Sequence, residues 1–381
     1  MITVFKGSRV YDLLVFLAYV DEFPYRSLQL LGSKDAWRKL IIKLSQQQEY
    51  RLPDCPDRIT CRLLLTSGKG KSKTIRLSKS AVSILEHIHP AAAQYYTQTY
   101  LRYNRQSAAL RIDRCHRVSE TAAFMRLAGF ATEPFSLPKL QMTAIRQLLP
   151  AEPSFYLSNE LKYAGEDDVN KTIFSRITGA LFYPGGCYAV YNSRDYLMKW
   201  NGKGESKARL YLTEIARMNA GVREVTSAIL LGKDYEIALQ TLQYLNSMKR
   251  AELRFDANYD ALHFIPLDSF GTRVARLLTS PDWKETMLAL LFEPEDRSYN
   301  DGSFEYDAIE NGVYILSFLD SDIIRLNRFR DSSRGQQAEV ICFPEQVSFL
   351  RAFLGTSVPL RTVSITELED AFRDAGGDEI G

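Results

Sequence analysis

The sequence predicts an α+β chain, with a helical N-terminal third closed by a β-hairpin and then an α/β region built on a mixed sheet. Three observations carry this. Apolar residues recur at helical spacing in short segments before residue 45. A glycine- and lysine-rich tip separates two strand-like runs between residues 59 and 77. From Ile177 onward, strand-like and helix-like runs alternate.

The chain has 381 residues, of which 45% are hydrophobic and 12% aromatic, enough for two or three domains with real cores. Its formal charge of +2 hides an asymmetry. Residues 1–149 hold 23 Lys and Arg against 11 Asp and Glu, whereas the remainder holds 25 against 35. Opposite signs imply that one half meets a polyanion and the other does not. The five cysteines, Cys55, Cys61, Cys115, Cys187 and Cys342, are scattered and form no C-x-x-C pair. That spacing argues for reduced thiols rather than a disulfide framework or a zinc site. No apolar run is long enough to span a bilayer, and MITVFKGSRVYD lacks the shape of a signal peptide. A cytoplasmic protein with no membrane partner is expected.

In the N-terminal third, Val10, Leu13, Leu14, Leu17 and Val20 mark a first helix. After Pro24, Tyr25 to Leu31 predicts a second, closed by Gly32. Ser33 is a candidate cap for a third, in which Trp37, Leu40, Ile41 and Leu44 form one apolar stripe. The opposite face carries Lys34, Arg38, Lys39 and Lys43, with Gln46 and Gln47 following. Such side chains bond phosphates, and Arg and Gln also read base edges. Strands Ile59–Leu65 and Thr74–Leu77 flank the tip Ser67–Lys73, where Lys69, Lys71 and Lys73 alternate with Gly68, Gly70 and Ser72. Three helices followed by a lysine-tipped hairpin is the order of a winged helix-turn-helix, whose third helix enters the major groove while the wing touches the backbone. Ser78 then starts another helix.

Other motifs read less well. His87-Ile88-His89, with Tyr95, Tyr96, Tyr100 and Tyr103 behind it, has the composition of a metal-assisted nicking centre. Ala81, Leu85 and Ile88 give helical spacing, however, which sends the two histidines about 200° apart. Glu160-Leu161-Lys162 follows the strand-like FYLSN and has the E-x-K form of a metal-dependent nuclease. No partner Asp precedes it, and Asp167 and Asp168 follow it in a loop. Arg111 to Phe130 forms a basic helix in which Arg114 and Arg117 are candidate phosphate contacts and His116 packs or caps. No catalytic residue, metal ligand or cofactor is assigned.

In the C-terminal region, ITGALFYPGGCYAVYNS predicts a hairpin and YLMKW (196–200) a third strand. Glu205–Met218 predicts a helix, residues 225–232 a buried strand, and Asp234 a cap for a helix through Leu245. ELRFDANYDALHFIPLD predicts a hairpin, Thr272–Phe292 a helix, and Val313–Phe318 and Glu339–Phe343 strands. Hairpin, third strand, helix and buried strand is also the core order of the restriction-endonuclease-like fold. Its metal carboxylates are missing from YAVYN and YLMKW, so a nuclease on this core is degenerate.

The succession of a winged helix, the connecting helix RCHRVSETAAF and the run GALFYPGGCYAVYNSRDYLMKW resembles the replication-relaxation family of plasmids and integrative conjugative elements of Gram-positive bacteria. The resemblance covers roughly residues 8–232 and implies DNA processing, replication or transfer. It carries over no catalytic residue. The expected organisation is a winged-helix domain at 1–110, a basic helical connector at 111–150 and an acidic α/β domain at 151–381, in one or two subdomains. The expected function is double-stranded DNA binding by an accessory factor in plasmid replication, conjugation or transcription control, with a homodimer as one candidate state. The competing readings are a metal-dependent nicking enzyme and an assembly protein that recruits a relaxase or replication component.

Overall fold

The computed structural model describes residues 1–53, 58–101, 109–141, 149–164, 174–198, 200, 202–248, 254–298 and 305–377. Cys55, Tyr103, Asp167, Asp168, Lys199, Glu252 and Leu253 lie outside them. The chain is a mixed α+β protein with several small sheets, divided into two compact units. Unit 1 comprises Met1–Lys139 and Ser154–Glu160, and unit 2 comprises Leu140–Pro153 and Leu161–Gly381.

Unit 1 begins with β1 (Ile2–Thr3) and helix α1 (Arg9–Val20), capped by Ser8, whose hydroxyl accepts from Tyr11 N. Its residues Leu13 to Val20 are all buried, the mark of a helix covered on every side. A short strand, β2 (Glu22–Pro24), leads into a 3-10 helix (Tyr25–Leu31) that stops at Gly32, where φ is +121°. Helix α2 (Lys34–Leu44) follows, then β3 (Gln48–Arg51), β4 (Arg58–Cys61), β5 (Leu64–Ser67) and β6 (Thr74–Leu77). Two small sheets result, ordered β1-β3-β4 and β2-β6-β5.

The single strand expected over Ile59–Leu65 is therefore two strands in two sheets. The backbone at the break is taken by other partners. Leu63 N donates to Leu44 O, Ser78 N donates to Leu63 O, and Ser78 Oγ donates to Arg62 O. With those groups tied to the end of α2 and to the next helix cap, the ladder cannot run through. Helices α3 (Lys79–Ile88), α4 (Pro90–Tyr96) and α5 (Ala109–Leu127) complete the helical part, and α5 packs against β2, the 3-10 helix and α1. The segment set apart in the sequence as a connector thus starts with a helix packed inside unit 1. Strand β7 (Ser154–Leu157) joins the same unit, with Phe155 N donating to Ala131 O at 2.7 Å. Helix α6 (Ser158–Tyr163) follows directly.

Unit 2 repeats one pattern. Strands β8 (Ile177–Tyr183) and β9 (Gly186–Arg194) form a hairpin. Helix α7 (Gly202–Ala220) crosses to β10 (Ser227–Gly232), parallel to β9, and α8 (Tyr235–Ser247) crosses to β11 (Ala261–Pro266), parallel to β10. Helices α9 (Ser269–Leu278) and α10 (Trp283–Leu291) follow. The second sheet starts with the hairpin β12 (Ala308–Glu310) and β13 (Val313–Ser317), turning at Asn311-Gly312 with φ of +51° and +80°. It continues through α11 (Ile323–Ser332), β14 (Ala338–Cys342), α12 (Val347–Leu354), β15 (Leu360–Thr362) and α13 (Ile365–Gly377), with β13, β14 and β15 parallel. Each half is a hairpin followed by alternating helices and parallel strands. The buried run of β10, Ala228 to Leu231, is that of a strand paired in parallel on both edges and covered on both faces.

Three expectations change here. Tyr196–Met198 and Trp200 form no strand. After Arg194, whose φ is +60°, β9 takes the parallel β10 as its neighbour, and a parallel neighbour requires a helical crossover rather than a third antiparallel strand. Met198 and Trp200 still enter the core, with the Trp200 ring 4.9 Å from Tyr191. The hairpin expected before β11 is replaced in its described part by a 3-10 turn, Phe255–Ala257, where Arg254 grips Asp256 through two nitrogens. The helix expected over Thr272–Phe292 is broken into α9 and α10 at Pro281 and Asp282, the latter at φ +46°.

Candidate nucleic-acid interface

Helix α2 is oriented by its apolar stripe. Ile41 and Leu44 are fully buried, and Trp37 and Leu40 are half-buried. The Trp37 indole N–H donates to Leu31 O at 2.6 Å, tying α2 to the preceding 3-10 helix. Ser33 sits at the N-cap without a capping hydrogen bond from its side chain, so the orientation comes from packing. Lys34, Arg38, Lys39 and Lys43 are all exposed, as are Gln46 and Gln47 just past the C-cap Ser45. Asp35 is also exposed, in the first turn where the helix dipole favours it.

The β5–β6 tip presents a second set of cations. Gly68 and Gly70 have φ of +76° and +55°. A Cβ on Gly68 would lie 2.4 Å from Ser72 O, so the tip requires glycine there. Lys69 and Lys71 are exposed on it. Lys73 differs: it is half-buried, with its ammonium 4.0 Å from the centre of the Tyr25 ring, a cation–π contact inside unit 1. Arg114 and Arg117 also lie apart from these groups, on α5. Arg114 donates to Ser158 Oγ at 3.2 Å, and burial lowers its pKa, with the Arg117 charge adding to the effect. Arg117 pairs with Asp113 one turn away at 3.1 Å. The structure thus leaves the four α2 cations exposed along the helix and two lysines exposed on one tip, and holds Lys73, Arg114 and Arg117 in local contacts.

Sequence reasoning passed over Ile42, which is 50% exposed on the outward face of α2, and the exposed Arg62 and Lys79. Ile42 was legible as an angle, since it lies about 200° from Leu44 on a helical wheel. Arg62 was hidden by the single-strand reading of its segment.

The groups of the nicking reading occupy structural positions. His87 contacts Pro53 O at 3.0 Å, and His89 caps α4, its Nδ1 accepting from Ala92 N. Tyr96 is 2% exposed. Tyr95 donates to Glu160 Oε1 at 2.6 Å, and burial pushes the Glu160 carboxyl above its usual range. Among the described residues, no group of three or more His, Cys, Asp or Glu is placed to hold a metal ion. Within unit 2, a cavity of about 500 Å³ is lined by Tyr183, Trp283, Glu305, Asp307 and Arg325. Arg325 is bonded there to Asp307 at 2.5 Å and Glu305 at 3.3 Å, so the charges at its floor are largely spent on one another. Among the described residues, no helix is long and apolar enough to cross a membrane. No family model matches the chain, and no curated protein and no solved structure matches it.

Proposed function

We propose that unit 1 is a winged helix-turn-helix that binds double-stranded DNA, with α2 in the major groove and the β5–β6 tip on the flanking backbone. The observation that carries this reading is the outward face of α2, where Lys34, Arg38, Lys39 and Lys43 are all exposed. Its support is the order α1, β2, 3-10 helix, α2, β3, β4, β5, β6, in which β3 and β4 pair apart with β1 while β2 pairs with β6 to brace the β5–β6 hairpin. Charge points the same way. Unit 1 holds 22 Lys and Arg against 12 Asp and Glu, and unit 2 holds 26 against 34. A net positive unit attracts phosphate, and the acidic unit is better suited to a protein partner.

The wider role, an accessory factor of a mobile genetic element in replication, transfer or transcription control, rests on the family resemblance. The endonuclease-like reading of unit 2 contributes nothing to it, because it drew on a third strand at 196–200. Fluorescence anisotropy of the full chain with a labelled duplex at rising salt tests the binding. Affinity falls linearly on logarithmic axes, with a slope of about −0.9 per phosphate neutralised. Absence of binding to any duplex at low salt rules the proposal out.

A further inference from the structure

We infer that Ile42 is a specificity-determining residue that reads the 5-methyl group of thymine in the major groove. The inference rests on the DNA-binding reading of α2 and names what that helix face selects. Ile42 is a β-branched aliphatic side chain that is 50% exposed on the helix face that carries the cations, whereas every other large apolar residue of α2 is at least half covered. Ile41 and Leu44 are fully buried, and Trp37 and Leu40 lie beside them on the same stripe. At about 100° per residue, Ile42 points roughly 160° to 200° away from Leu40 and Leu44, close to the centre of the outward face.

Its neighbours define the occupant. One turn before Ile42 lie Arg38 and Lys39, Lys43 is adjacent, and Gln46 lies just past the helix C-cap, all exposed. An apolar patch ringed by cations and an amide does not suit another protein's apolar core, which would desolvate those charges. It suits a polyanion that carries isolated methyl groups between hydrogen-bonding edges. The major groove of a duplex has that chemistry, since thymine alone among the four bases displays a methyl group there. Arg38 and Gln46 flank Ile42 with the side chains that pair with guanine and adenine edges, so the three would read neighbouring steps.

The test uses the full chain and a randomised duplex library. The best-bound sequence is resynthesised with deoxyuridine replacing thymidine at each position in turn, which removes only the methyl. At one or two positions the wild-type chain should bind about fourfold more weakly, the worth of one buried methyl group. Ile42→Ala should bind the thymidine duplex more weakly and show no further loss with deoxyuridine. The substitution is at an exposed site, and the deoxyuridine series needs no variant, so a folding defect cannot decide the result. Wild-type indifference to every deoxyuridine would overturn the inference while leaving DNA binding intact. So would an Ile42→Ala chain that keeps the full methyl dependence, or one that loses self-association with duplex binding unchanged. Binding without selection of any sequence would overturn the inference alone, whereas failure of the wild-type chain to bind any duplex at low salt would remove the DNA-binding reading and this inference together.

Discussion

Arg325 sits at the head of α11 with Asp307 at 2.5 Å, Glu305 at 3.3 Å and Asp320 at 3.9 Å. Asp307 is doubly used, since its other oxygen accepts from Ser317 N at 2.7 Å. Removing the guanidinium strands buried carboxylates. Arg325→Ala should cost about 3–5 kcal/mol in urea unfolding at neutral pH, and an unchanged midpoint would show that water repays the charges. Glu160 is a carboxylate of the opposite kind, raised above its ordinary value of 4.5 by desolvation. A raised acid contributes stability that is full below the unfolded pKa and is lost as pH rises through the folded one. Glu160→Gln keeps an acceptor for Tyr95 and carries no charge. The variant should therefore melt above the wild type at neutral pH, and the gain should vanish in acid below the ordinary carboxylate range. A gain that persists in acid would assign it to packing. Neither residue's environment is legible in the sequence, because the hydrogen-bond partners that decide it, Asp307 for Arg325 and Tyr95 for Glu160, lie 18 and 65 positions away.

At the scale of elements, helix and tip divide the work of binding. Arg38→Ala should cost about 1–3 kcal/mol on a selected duplex and much less on random DNA. Equal losses on both, in competition binding, would place the reader elsewhere than α2. Replacing Lys69 and Lys71 together by alanine should weaken all sequences alike and flatten the logarithmic salt slope by about 1.8. A sequence-dependent loss would mean the tip reads bases. Lys73→Ala should affect stability more than binding, by about 0.5–1 kcal/mol for the lost Tyr25 contact. The elements themselves were legible where one period dominates. The stripe Trp37, Leu40, Ile41, Leu44 and the apolar run of β10 fall where the pattern puts them. The pattern failed where long-range partners decide. Residues 59–65 look like one strand, but the break at Arg62-Leu63 is made by Leu44 and Ser78. YLMKW has strand composition, but its place beside β9 is taken by β10.

For the whole molecule, the division into units sets the boundary of any working fragment. Strand β7 belongs to unit 1, where Phe155 N bonds Ala131 O, Tyr156 OH bonds Pro138 O and Glu160 accepts from Tyr95. A fragment of residues 1–163 should therefore unfold at higher urea than one of residues 1–149. Both should retain the salt-dependent duplex affinity if α2 and the tip carry it, and loss of affinity in the longer fragment would assign binding to unit 2. The sequence by itself determined the charge asymmetry, the helices of the first third, the glycine-dependent tip and the alternation of strands and helices beyond residue 177. These follow from composition and from side-chain periods of about 3.6 and 2 residues, which are local. Only the tertiary structure decided that residues 58–67 serve two sheets, that β9 and β10 run side by side, and that the second half of unit 2 repeats the first. It also decided that Arg114 and Arg117 are engaged on α5 while Ile42 stands exposed on α2. Those outcomes depend on which distant backbone groups and side chains compete for the same hydrogen bonds and the same buried surface, a competition settled only when the chain has closed on itself.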